Sequence, residues 1–178
     1  IVYDGFTGWT VSEFLETCIG SDSGIDIEHA LTAEHDAYAV TDDVNDDGIL
    51  DRFEIDAVAQ SVVLVAVMER GYIISSGTGT IASPDGLIIT NEHVIEGATE
   101  VAIALLDNIN DPPDYRYIAD VISYDANIDA ALLAIRTDIN GTPVTPAELS
   151  LPYMPVSVHP EDIYRGDEIW IFGYPGIG

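Results

Sequence analysis

From Ser61 onward the chain is broken into short runs of Val, Ile and Leu by turn residues, and that rhythm restricts it to a β architecture. The runs are Val62–Met68, Gly79–Ala82, Leu87–Thr90, Val101–Leu106, Tyr117–Tyr124, Ala130–Ile135 and Glu168–Phe172. β-branched side chains at this density suit a pleated surface and lose rotamer freedom in a helix. Ser83-Pro84-Asp85-Gly86 supplies a strong turn signal between two of the runs. Short strands at this spacing predict an all-β barrel or sandwich. Asp107–Asp114, with Pro112 and Pro113, reads as a loop, and Asn140–Pro160, with five prolines, as a long irregular connection.

Residues 1–60 have a different character. Val11–Cys18 and Ile27–Val40 read as helical, and Arg52–Gln60 as a short amphipathic stretch. These differences place a boundary near Ser61, with a small helical segment over 1–60 and a second unit over 61–178. Between the last two helical stretches lies Asp43-Val44-Asn45-Asp46-Asp47-Gly48-Ile49-Leu50-Asp51-Arg52-Phe53-Glu54. It matches an EF-hand calcium loop at every diagnostic position. Asp43, Asn45 and Asp47 offer side-chain oxygens, and Gly48 allows the sharp turn. Ile49 offers a backbone carbonyl, Asp51 stands where a water-mediated contact is common, and Glu54 can bind through both oxygens. The competing reading is an Asx-rich acidic turn. EF-hands commonly pair, and the only upstream remnant ends at Glu13, with Val2 at the first-ligand position and Thr7 where glycine belongs. The Asp43-Val44-Asn45 opening is also similar to dockerin loops, which carry two such loops where one clear loop exists here.

The charge balance excludes several partner classes. There are 32 Asp and Glu against five Arg and no Lys, a formal charge of −27. Such a surface repels phosphate backbones and anionic lipid, so nucleic acid and membrane surfaces are poor partners. The carboxylates are spread along the chain, which fits a surface adapted to high salt together with one specific cation site. Cys18 is the only cysteine, so no disulfide framework is expected. The longest apolar run, Val62–Met68, falls far short of the roughly 20 residues of a membrane helix. The chain starts at Ile1 with no visible signal peptide, and both ends look cut.

Three ordered blocks carry a family resemblance. Ser76-Gly77-Thr78-Gly79-Thr80-Ile81 is followed by Ser83-Pro84-Asp85-Gly86-Leu87-Ile88-Ile89-Thr90-Asn91-Glu92-His93-Val94; Val121 to Ile135 contains Asp129-Ala130-Ala131-Leu132-Leu133; and Tyr164 to Pro175 contains Gly166-Asp167 and Gly173-Tyr174-Pro175. Together they resemble the HtrA (Deg) branch of trypsin-like serine proteases. The resemblance implies the first barrel and the start of the second barrel of a chymotrypsin-like double β-barrel, mainly β, behind the helical calcium-binding segment. It implies a serine endopeptidase acting on polypeptides, with His93 as general base and Asp129 as the residue that orients it. Asp125 matches a non-catalytic turn aspartate. The family's nucleophile lies in a Gly-x-Ser-Gly-Gly motif after the Gly-x-Pro turn, which places it past Gly178 and makes residues 1–178 alone inactive. An extracytoplasmic location follows from the same resemblance and the calcium loop.

The chemistry asks for these residue types. A serine hydroxyl is a weak nucleophile near neutral pH, and an imidazole must take its proton and later return it to the leaving amine. A buried carboxylate on the other ring nitrogen fixes the tautomer. His93 and Asp129 stand 36 positions apart, so only the tertiary fold can join them. Gly20-Ser21-Asp22-Ser23-Gly24 mimics a nucleophile motif but precedes the histidine, against the family order. His29, His35 and His159 lack the companions of a zinc site. The alternative to a protease is a calcium-dependent binding module built on a protease-like fold, with His93 and Asp129 as remnants.

Overall fold

The computed structural model describes residues 52–154, 165 and 169–174. Helix α1 (Arg52–Ser61) buries Glu54, Val58 and Ser61, the spacing of one helical face. Its last residue turns its hydroxyl back onto the carbonyl of Val58 at 2.7 Å, and strand β1 (Val62–Glu69) follows without a linker. The remaining strands are β2 (Tyr72–Ile81), β3 (Leu87–Thr90), β4 (Glu100–Leu105), β5 (Asp114–Asp125) and β6 (Ala130–Asp138), with a four-residue helix α2 (Glu92–Ile95) between β3 and β4. All strand pairs are antiparallel, and they close into a six-stranded barrel in the order β1-β2-β3-β6-β5-β4.

Inward positions recur with the period of two that a pleated strand imposes. Val63 and Val65 of β1, Val101, Ile103 and Leu105 of β4, and Ala131, Leu133 and Ile135 of β6 share one core with Ile81, Ile88 and Ala119. Register shifts at Val67/Met68, Ile103/Ala104, Ile118/Ala119 and Val121/Ser123 supply the local bends that a small closed sheet requires. The β1–β2 connection is the two-residue turn Arg70-Gly71, both at positive φ (54° and 81°), the backbone that matches strand twist. The Ser83–Gly86 turn forms as expected: Gly86 N–H donates to the Ser83 carbonyl at 3.2 Å, and Gly86 itself has φ 95°.

The expected mainly-β barrel is therefore present, with the helix-to-strand change at Ser61. Three details differ from the sequence reading. Strand β2 starts at Tyr72 rather than Gly79, because β1 pairs with the Ser- and Gly-rich stretch from end to end. Strand β5 starts at Asp114, at the edge of the expected loop. Residues 169–174 form no strand: a strand needs a ladder partner, and this segment is instead tied to β2 by the Tyr174 N–H, which donates to the Thr78 hydroxyl at 2.8 Å. The proline-rich connection is irregular up to Met154, apart from a short 3-10 turn at Pro146–Glu148, and it closes the barrel by burying Leu151 and Tyr153. No helix among the described residues is long and apolar enough to cross a membrane.

Close packing makes β2 sensitive to added volume. A Cβ at Gly79 would meet Ile88 Cγ2 at 2.8 Å and Val65 Cγ2 at 2.9 Å. Gly79→Ala is expected to lower stability by about 1–3 kcal/mol, read as a lower urea midpoint with an unchanged slope. An unchanged midpoint would show that the barrel can absorb a methyl group there.

Candidate active site

The β3–β6 ladder builds the site. Leu87 pairs with Ala134, Ile88 with Leu133, Ile89 with Leu132 and Thr90 with Ala131. Just past the last pair, the chain leaving β3 meets the chain entering β6. Asn91, Glu92 and His93 lie on one side of that junction, and Asp129 lies on the other. Strand β3 ends at Thr90, whose hydroxyl donates to the Thr78 carbonyl of β2 at 2.7 Å. Asn91 then takes an extended backbone (φ −80°, ψ 146°) and opens α2. Val94 and Ile95 of α2 enter the core, which leaves the His93 ring at the barrel rim. Gly77 permits this approach, because a Cβ there would stand 2.5 Å from Val94 Cγ2.

On the opposite side, Asp125 Oδ1 accepts from the Asn127 backbone N–H at 2.7 Å and from its side-chain amide at 2.8 Å. This Asx turn closes the β5–β6 connection, the structural part expected of Asp125. Asp129 follows at φ 53°, a left-handed conformation that Asp tolerates better than most residues. Its carboxylate bridges to the α2 side. Oδ1 accepts from the His93 backbone N–H at 2.9 Å, and Oδ2 lies 2.7 Å from His93 Nδ1. The Asn91 amide nitrogen donates to Asp129 Oδ2 at 3.2 Å and to its backbone carbonyl at 3.0 Å.

This geometry decides the protonation pattern. The His93 backbone N–H above all holds the Asp129 carboxyl below its usual 3.8; partial burial opposes, and the His93 ring and the Asn91 amide add to the lowering. An ionised Oδ2 that can only accept requires a proton on Nδ1, so in the neutral imidazole the lone pair is on Nε2. The His93 and Asp129 side chains keep 66% and 44% of their exposure. Asp129 is thus half-exposed rather than buried as the sequence reading expected, because it sits on a rim turn and not in the barrel core. Solvent weakens the charge–charge part of such a contact, and the hydrogen bonds carry its specificity.

The structure therefore joins His93 and Asp129, which the sequence reading paired. Glu54 is buried on the first turn of α1. Asp43, Asn45, Asp47, Ile49 and Asp51 lie outside the described residues, as do Cys18, Ser23, His29, His35 and His159. Among the described residues no group of three or more His, Cys, Asp or Glu side chains could hold a metal ion. Asn91 has no role of its own in the sequence reading; its only signal there is a polar side chain two positions before the histidine.

An imidazole braced by a carboxylate thus sits on the rim of an antiparallel barrel. The chain belongs to the trypsin-like peptidase domain family, whose model matches residues 77–178, more than half of it. It is similar to the magnetosome formation protease MamE of Paramagnetospirillum magneticum, 40% identical over 73 residues, covering 41% of this chain and 9% of the relative. A serine protease of Mycobacterium tuberculosis is 31% identical over 123 residues, covering 68% and 26%. A probable periplasmic DegP-like serine endoprotease of Marinomonas sp. is 37% identical over 70 residues, covering 39% and 14%. The chain thus spans between 9% and 26% of the length of these relatives.

Asp129 gives the site a defined acid response. Its folded value lies below 3.8, so its ionised form stabilises the fold fully above that value, and the contribution is lost as pH falls through the lowered one. The stability gap between the wild type and Asp129→Asn is expected to close on acidification within that window. An Asp129 carboxyl carbon titrating by NMR at or above 3.8 would contradict this. His93→Ala keeps the backbone N–H, the largest single cause, and is expected to leave the Asp129 carboxyl still lowered.

Proposed function

We propose that this chain forms the histidine- and aspartate-bearing part of a serine endopeptidase that cleaves polypeptides through an acyl-enzyme. One observation carries the reading: His93 Nδ1 stands 2.7 Å from Asp129 Oδ2, which leaves Nε2 as the base. Nε2 takes the proton of a serine hydroxyl as the oxygen attacks the peptide carbonyl, and the imidazolium that forms is stabilised by Asp129. The same proton then passes to the leaving amine, and the cycle repeats with water to release the acyl group. The serine is expected in a Gly-x-Ser-Gly-Gly motif C-terminal to the Gly173-Tyr174-Pro175 turn, together with the oxyanion donors, so residues 1–178 by themselves are expected to be inactive. The names of the relatives, serine proteases and a periplasmic endoprotease, support this activity and an extracytoplasmic location.

The calcium reading belongs to the same proposal, as does the division into a helical segment (1–60) and a peptidase unit (61–178). Asp43, Asn45, Asp47, the Ile49 carbonyl, Asp51 and Glu54 would hold the ion, supplying the oxygens a hard cation prefers. The loop spacing supports this, and so does Glu54 on the first turn of α1, where the last loop ligand starts the outgoing helix. Helix α1 runs directly into β1, so ordering of the loop would be transmitted to the barrel's first strand.

In the full-length protein, His93→Ala and Asp129→Asn are each expected to lower kcat on a fluorogenic peptide by about 10⁴-fold without loss of fold. Undiminished cleavage by either variant would refute the assignment. Calcium at about 100 times its Kd is expected to stabilise the protein by about 2.7 kcal/mol over chelator, and Glu54→Gln to remove most of that difference. Identical melting with calcium and with chelator would refute the calcium site.

A further inference from the structure

Asn91 occupies the N-cap position of α2, where Asn ordinarily spends its side chain on the helix's free N–H groups. Here the side chain makes no cap hydrogen bond. It reaches across 38 positions of sequence to the β5–β6 turn, where its amide nitrogen touches Asp129 Oδ2 at 3.2 Å and the Asp129 carbonyl at 3.0 Å. Both of those atoms only accept, so the chemistry of the partners demands the nitrogen end of the amide.

The terminal torsion of a carboxylate is broad and roughly two-fold, so one donor does not fix its plane. At Asp129 the His93 backbone N–H holds Oδ1, and the Asn91 amide holds Oδ2 from a second direction. The carboxylate is then clamped with Oδ2 facing Nδ1 at 2.7 Å. The contact to the carbonyl also ties down a residue at φ 53°, a conformation that costs energy unless its neighbours enforce it. We propose that Asn91 is a positioning residue, whose amide orients the Asp129 carboxylate so that the His93 proton stays on Nδ1 and Nε2 remains the base. This inference rests on the reading of His93 and Asp129 as the catalytic pair.

The test uses the full-length protein with Asn91→Ala and Asn91→Asp. Aspartate has the size of asparagine and caps a helix as well, but it lacks the N–H groups and sets a second negative charge beside Oδ2. A merely structural Asn91 therefore tolerates Asp, and a positioning one does not. Two readouts are taken: kcat and KM on a peptide, and the ¹⁵N signals of the His93 ring, which report the tautomer whether or not a peptide is cut. The expected result is a kcat about ten-fold lower for Asn91→Ala and lower still for Asn91→Asp, KM unchanged, and a mixed His93 tautomer in both. Asn91→Asp with wild-type kcat and tautomer overturns the proposal, even where His93→Ala is inactive. A wild type that cuts no peptide while its His93 tautomer responds to both substitutions supports the positioning role and sinks the peptidase reading alone.

Discussion

The pairing of β3 with β6 is the interaction on which the rest of the structure depends. Like the β1–β4 ladder, it joins chain segments that are distant in sequence, and the two together close the barrel that local hairpins cannot close by themselves. Register in such a ladder is strongly specified, because a slip of one residue would turn Ile88 and Leu133 out of the core. The same register sets the chemistry. With Thr90 opposite Ala131, the residues just beyond the pair are Asn91 to His93 and Asp129, and a slip would separate the imidazole from its carboxylate. Core packing and site geometry are therefore one constraint.

Charge plays a smaller part in the site than the composition suggests. With a formal charge of −27, neighbouring carboxylates would favour protonation of any one of them. Asp129 nevertheless stays on the ionised side chiefly through hydrogen bonds, the His93 backbone N–H first, with the charge of the His93 ring and the Asn91 amide adding smaller contributions. The few arginines are spent elsewhere: Arg116 bonds Asp107 and also lies 3.6 Å from Asp114, and Arg136 lies 3.4 Å from Asp120. These are solvent-accessible pairs, worth about 0–1 kcal/mol each. Backbone and amide donors are insensitive to the salt that screens such pairs, which suits a site embedded in so acidic a surface.

Two junctions bring other segments to the same barrel. At one, α1 passes into β1 without an intervening residue, and the Ser61–Val58 hydrogen bond finishes the helix as the strand begins. At the other, Gly173 and Tyr174 lie against Thr78, close enough that a Cβ at Gly173 would come within 2.9 Å of its hydroxyl oxygen. Both junctions border one cleft of about 130 Å³, lined by Ala59 and Val62 on one side and Phe172, Gly173 and Tyr174 on the other. Thr78 also accepts the Thr90 hydroxyl, so the 172–174 segment is two hydrogen bonds away from the turn that carries His93.

Much of this was legible in the sequence. The alternation of Val, Ile and Leu with turn residues specified an all-β barrel or sandwich, because side-chain direction in a strand follows residue number alone, and the family resemblance chose the barrel. Pro84, Asp85 and Gly86 marked their turn for equally local reasons, and the blocks around His93 and Asp129 named the candidate pair through resemblance. What stayed hidden was whatever depends on a neighbour far along the chain. Ser75, Ser76 and Gly77 are poor strand formers and became strand only because β1 pairs with them. Residues 169–174 have strand-like composition but no ladder. Asn91 stood in the motif as one more polar residue before the histidine, and only the tertiary structure, by placing Asp129 within 3.2 Å, gave its amide a partner in the carboxylate. Composition and local pattern determined which segments can form and which residue types can react; the long-range register decided which of them meet, because the hydrogen bonds that join them exist only once the barrel has closed.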